Sequence, residues 1–113
     1  MKFMTEEQLC CVGQAPAVGA EEAETLAELL GVLADPVRLR IISMIAASPT
    51  GEICACDLPA ALDRSQPTIS HHLKQLVNAG ICQREQRGKW AWFQLQPARL
   101  EAVREALLVP TAV

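Results

Sequence analysis

Apolar residues recur at helical spacing from Ala20 to Leu33, where Leu26, Leu29, Leu30 and Leu33 form a stripe and the acids gather at the N-terminal end. Carboxylates there suit the helix dipole, and the spacing predicts a helix. Asp35-Pro36 is a stop and restart, with Asp as N-cap and Pro at the first helical position. The helix that follows is expected to bury Leu39, Ile41, Ile42 and Ile45 and to end in Ser48-Pro49-Thr50-Gly51. A short helix is predicted from about Asp57 to Leu62. Ser65 then caps another, with Pro67 in its first turn. That helix buries Ile69, Leu73, Leu76 and Val77 and ends at Asn78-Ala79-Gly80.

Beyond Gly80 the period changes from 3.6 to 2. Ile81 to Glu85 is strand-like, Gln86-Arg87-Gly88 is a turn, and Lys89 to Gln96 alternates with Ala91, Phe93 and Leu95 on one face. Pro97 opens a last helix bearing Leu100, Val103 and Leu107. The expected fold is mainly α with a little β: a winged helix-turn-helix whose wing is a two-stranded β-hairpin. Residues 1–19 lack periodicity and carry Gly13, Pro16 and Gly19, so they read as a flexible N-terminal tail. Residues 20–108 form the domain and 109–113 a C-terminal tail.

Composition narrows the class. A chain of 113 residues fits one small domain, and half hydrophobic with a fifth charged excludes a disordered polyelectrolyte. No apolar run approaches the ~20 residues of a membrane helix. The start, Met1 to Glu7, shows no apolar stretch before its acids, so no signal peptide is expected.

The net charge of −3 argues against a nucleic-acid partner until the charge is located. Residues 1–35 carry Lys2 against seven acids, a net of −6. Residues 64–89 carry Arg64, Lys74, Arg84, Arg87 and Lys89 against Glu85, a net of +4. A basic segment inside an acidic chain is the footprint of a phosphate-binding surface, although an ordinary solvated face looks the same.

In a helix-turn-helix the second helix enters the major groove, its N-terminal residues nearest the base edges. With Ile69, Leu73 and Leu76 turned inward, Ser65, Gln66, Thr68, Ser70, His71 and Lys74 remain outside. Gln reads adenine in a bidentate way, and Ser, Thr and His donate to bases or phosphates. Arg64 precedes the helix, and Arg84, Arg87 and Lys89 crowd the hairpin where a wing grips the backbone. Each has a plainer reading. Ser65 serves as an N-cap, His72 falls on the buried side, and Trp90 and Trp92 shield the hairpin.

Five cysteines, an odd number with no secretory signal, speak for reduced thiols in a cytosol. Cys54-Ala55-Cys56 puts two thiols at the lip of a helix, where thiolates are favoured. Adjacent Cys10-Cys11 in the tail can bring further sulfurs across. Two to four thiolates with no His nearby suit As(III), Cd(II) or Pb(II) better than Mg or Ca. The spacing matches neither a zinc ribbon nor a Cys-x-x-Cys redox motif. Cys82 falls in the first predicted strand, beside the core, as an ordinary buried thiol.

Leu33-Ala34-Asp35-Pro36-Val37-Arg38-Leu39-Arg40-Ile41-Ile42, Ser65 to Lys74 and the wing Arg87-Gly88-Lys89 resemble the ArsR/SmtB metalloregulatory repressors. The resemblance spans roughly residues 25–108. It implies a homodimeric cytoplasmic repressor of double-stranded operator DNA that lets go when a metal or metalloid binds, its first and last helices forming the dimer interface. It implies no catalysis, no organic cofactor and no membrane contact. Cys54-Ala55-Cys56-Asp57-Leu58 is similar to the sensing motif of arsenic- and cadmium-responsive members. The last helix, Ala98 to Leu108, has no His and lacks the pattern of zinc-sensing members. The expected site is a three-sulfur As(III) centre of Cys54, Cys56 and either Cys10 or Cys11, with a four-sulfur Cd(II) or Pb(II) site as alternative. A thiol redox protein and a winged-helix module for protein contacts are the rivals from other classes.

Overall fold

The computed structural model describes residues 17–108. Cys10 and Cys11, the rest of the predicted tail through Pro16, and residues 109–113 lie outside the described residues.

Helix α1 spans Ala20–Leu33 with Glu21 and Glu22 in its first turn, as the dipole favours. Helix α2, Pro36–Ala47, starts where Asp35 caps it: the carboxylate accepts from the backbone N–H of Val37 at 2.8 Å and of Arg38 at 3.1 Å. Such a cap stabilises a helix by about 1 kcal/mol. Val37, Ile41 and Ile45, four residues apart, are buried, while Ile42 is only partly so. Leu39, expected inside, is 52% exposed. At 100° per residue it stands about 200° from both Val37 and Ile41, on the far side of the helix.

Strand β1 follows at Glu52–Cys54, then a 3₁₀ turn Ala55–Asp57 and helix α3, Leu58–Leu62. The short helix thus begins at Leu58, with Asp57 in the turn before it. Helix α4, Gln66–Asn78, is capped by Ser65, whose Oγ accepts from the Thr68 N–H at 3.4 Å. It buries Ile69, Leu73 and Leu76 and ends at Gly80, whose φ of +75° lets the Ile81 N–H reach back to the Leu76 carbonyl at 2.9 Å.

Strands β2, Cys82–Arg87, and β3, Trp90–Leu95, form the hairpin, and helix α5, Pro97–Ala106, closes the fold. The turn sits at Gly88-Lys89, later than expected, because Arg87 pairs with Trp90 across it and Gly88 takes a φ of +61°. The sheet has three strands in the order β1-β3-β2, all antiparallel. The two-stranded hairpin is found as expected, and β1 adds to it a third strand that the sequence pattern does not announce. Three residues are too few for an alternation to register, and β1 exists because β3 offers it a free edge.

Ile81, Cys82 and Phe93 close the sheet side of a core built from Leu29, Val37, Ile41, Ile45, Leu58, Leu62, Ile69, Leu73 and Leu76. Each fully buried aliphatic there contributes about 1.5–3 kcal/mol. Leu30 on α1, 38% exposed, and Leu107 just after α5, 53% exposed, stay outside it. No helix among the described residues is long and apolar enough to cross a membrane.

Candidate nucleic-acid interface and thiol pair

Turning Ile69, Leu73 and Leu76 inward leaves Gln66, Thr68, Ser70, His71 and Lys74 exposed along α4, with Arg64 and Ser65 exposed at its start. Ser65 and Thr68 also hold each other: the Ser65 hydroxyl donates to Thr68 Oγ1 at 2.9 Å. Gln66, Ser70 and Lys74, four residues apart, share a row. They line one wall of a groove of about 650 Å³ whose other wall is the hairpin: Arg84, Gln86, Lys89 and Trp90. Apolar Ile69, Leu73, Val77, Ala91 and Phe93 also line it, and among the described residues no carboxylate does. The +4 segment thus becomes a one-sign cleft beside an exposed helix face, the arrangement that attracts a phosphate backbone.

Strand alternation sorts the wing cations. Arg84 and Gln86 face α4, and the Arg84 guanidinium donates to the Gln86 side chain, which donates in turn to the Gly88 carbonyl at 2.9 Å. Lys89 Nζ lies 5.6 Å from the Trp90 ring centroid, a cation–π distance. Arg87 turns to the opposite face. Its guanidinium lies over Trp92 and donates to Glu85 at 2.7 and 2.9 Å and to Glu52 at 3.1 Å, with a second, shorter contact to Glu52. The Arg87 guanidinium first, and then the Gln94 amide donating at 3.2 Å, hold the Glu52 carboxyl below its ordinary pKa, and the Glu52 and Glu85 carboxylates in turn raise that of Arg87. Of the four hairpin and helix cations expected to meet phosphate, Lys74, Arg84 and Lys89 gather on the groove and Arg87 does not.

Cys54 ends β1 and is buried, while Cys56 lies exposed in the 3₁₀ turn. The bend between them brings the Cα atoms to 5.2 Å and both sulfurs to one point, where they form a disulfide. Residues two apart on a strand that turns at once project to the same side, within bonding distance. The Cys56 N–H donates to Cys54 Sγ at 3.3 Å. In reduced form the pair offers two soft donors close enough to share one ion. Cys56 also lines the groove between α4 and the hairpin. Cys82 is buried away from the pair, and burial pushes its thiol up to about 11. It is the inert thiol its strand position predicts.

Two residues outside the expected site set complete the neighbourhood. Trp92 lies directly across from Cys54 in the β1–β3 register, and Arg38 of α2 donates from Nε to Nδ1 of His72 on α4 at 3.1 Å. His72 is partly buried, in keeping with its structural reading. No local signal announces either pairing, since the partners are 38 and 34 residues apart.

Residues 35–83 match the sequence pattern described as bacterial regulatory protein, arsR family. The chain is similar to an arsenical resistance operon repressor of Escherichia coli (strain K12), 44% identical over 70 residues. That alignment covers 62% of this chain and 58% of the repressor, so the chain spans under two thirds of that relative. An arsenical resistance operon repressor of Staphylococcus aureus is 38% identical over 82 residues, covering 73% of this chain and 76% of its own. A solved structure described as a possible transcriptional regulator for arsenical resistance superposes with a TM-score of 0.62 at 30% identity, covering 68% of this chain and 77% of that one.

Proposed function

The chain belongs to the arsR family of bacterial regulatory proteins, a family of DNA-binding transcriptional regulators rather than enzymes, and from that premise we propose that it is a repressor that releases its operator when As(III) binds cysteine thiolates. Arsenic would be held by reduced Cys54 and Cys56 with one sulfur from Cys10 or Cys11. The observation that carries the reading is the position of Cys56. It belongs to the thiol pair and lines the same groove as Gln66, Ser70 and Lys74. A change at the pair therefore acts next to the surface that would read DNA. Gln66, Ser70, His71 and Thr68 would face bases and phosphates, while Arg64, Lys74, Arg84 and Lys89 would bind the backbone. Arg87, already engaged by two carboxylates, would contribute least.

The coupling is reciprocal: if arsenic binds the DNA-free form more tightly, operator DNA weakens arsenic binding by the same factor. Exposed Leu30 and Leu107 support a homodimer formed through α1 and the end of α5. A four-sulfur Cd(II) or Pb(II) site remains the second reading, favoured by the adjacent Cys10-Cys11, which with Cys54 and Cys56 makes four sulfurs. The test is a titration of the fully reduced full-length protein, following thiolate-to-arsenic absorption and operator release together. Cys54→Ser and Cys56→Ser should still bind the operator and should no longer release it with arsenite. Loss of operator binding by these variants with no arsenite present would overturn the assignment.

A further inference from the structure

One guanidinium ties three helices together. From the first turn of α2, Arg38 donates through Nε to His72 Nδ1 on α4 at 3.1 Å and through Nη1 to the Val32 carbonyl, in the last turn of α1, at 3.0 Å. Asp35 holds that turn in place. Its Oδ1 accepts from the Arg38 N–H and lies 3.9 Å from His72 Nδ1. The His72 side chain is only 12% exposed. His72 Nδ1 is thus the acceptor that joins α4 to Arg38. The neighbouring His71 ring, its centroid 5.9 Å away, is exposed on the proposed DNA-reading face.

We propose that Arg38 and His72 are positioning residues that lock the end of α1 to α4, so that a displacement of α1 is passed to the DNA-reading face. The inference rests on the repressor reading. Nine residues, Val12 to Ala20, lead from Cys11 into the first turn of α1. A tail cysteine captured at Cys54 and Cys56 would tether the start of α1 to the thiol pair. The Arg38 link offers the direct polar route from α1 to α4, since Val32, Arg38 and His72 form one continuous hydrogen-bonded chain. A shift at α1 that breaks this chain frees α4 to tilt, and a tilt moves Gln66, Ser70 and Lys74 together because they share one rigid row.

The experiment compares Arg38→Met, His72→Leu and His72→Asn with the unaltered reduced protein. It measures operator affinity with and without arsenite, arsenic affinity by absorption, and the melting temperature. Leucine removes the acceptor, and the Asn side-chain oxygen restores an acceptor near Nδ1. In Arg38→Met and His72→Leu, arsenic affinity without DNA should hold within about twofold. Operator affinity should fall about tenfold, and the ratio of operator affinities without and with arsenite should collapse toward one. His72→Asn should retain most of both. An unchanged ratio in Arg38→Met overturns the proposal, as does His72→Asn failing to the same degree as His72→Leu, which would mark ring packing instead. If His72→Leu does not fold, Arg38→Met and His72→Asn still decide the outcome. Failure of the unaltered protein to release its operator with arsenite would instead defeat the repressor reading, and this inference with it.

Discussion

Cys54 stands directly opposite Trp92 in the antiparallel pairing of β1 with β3. Directly paired residues share a sheet face with Cβ atoms about 4.5–5.5 Å apart, so the indole neighbours whatever the sulfur holds. Arsenite added to the reduced protein should quench tryptophan fluorescence, and reduction of the disulfide should shift the emission. Trp92→Phe should abolish most of both signals while Trp90→Phe leaves them. Equal loss in the two variants would show that the change is spread through the wing rather than sited at Cys54.

The wing cations should differ in how they bear on DNA. Arg84→Ala and Lys89→Ala should each lower the slope of log affinity against log salt by about one, the value for one lost phosphate contact. Arg87→Ala should change that slope less, because its guanidinium is engaged by Glu52 and Glu85 on the other face of the sheet. Gln66→Ala should instead reduce the preference for operator over random DNA, by about 1–3 kcal/mol if it reads a base.

Acid should weaken the fold through two carboxylates. Asp35 is held below its ordinary 3.8, chiefly by the backbone N–H of Arg38, and Glu52 below 4.5, chiefly by Arg87. A depressed folded-state pKa means stability that is present above the unfolded value and lost as pH falls through the folded one. The melting temperature should therefore decline below about pH 4.5 and fall further below 3.8. Asp35→Asn keeps a capping side chain and should flatten part of that decline. An unchanged acid limb would show that the Asp35 cap does not depend on charge.

Cys82 should resist alkylation in the folded protein. Its thiol titrates near 11 rather than 9.0 because burial disfavours the thiolate. After reduction, iodoacetamide at neutral pH should label exposed Cys56 within minutes and Cys82 only in denaturant. A raised folded-state pKa also means that this residue's share of stability is present below about pH 9 and lost as pH rises toward 11. Rapid labelling of native Cys82 would mean that the β2 end of the core opens readily.

Periodicity and caps made the helices legible. The Asp35 and Ser65 caps, the inward row Ile69, Leu73 and Leu76, and the Gly80 stop are all found as expected. Each depends on residues within a turn of one another. The outward face of α4 followed from the inward one. Leu39 was misplaced because an apolar residue need not lie on the apolar face, and β1 was missed because three residues carry no period.

What stayed hidden was set by distant pairing. That Arg87 leaves the groove, that Cys54 meets Trp92 and that Arg38 reaches His72 each depend on which strand or helix comes alongside. Local chemistry was therefore enough to assign a winged helix-turn-helix with a basic segment and a pair of soft donors. Which of those cations share a surface, whether the two sulfurs touch, and which helices Arg38 joins were settled by packing. Side-chain direction is determined along the chain only relative to its own helix or strand, whereas its partner is determined by the fold that brings two such elements together.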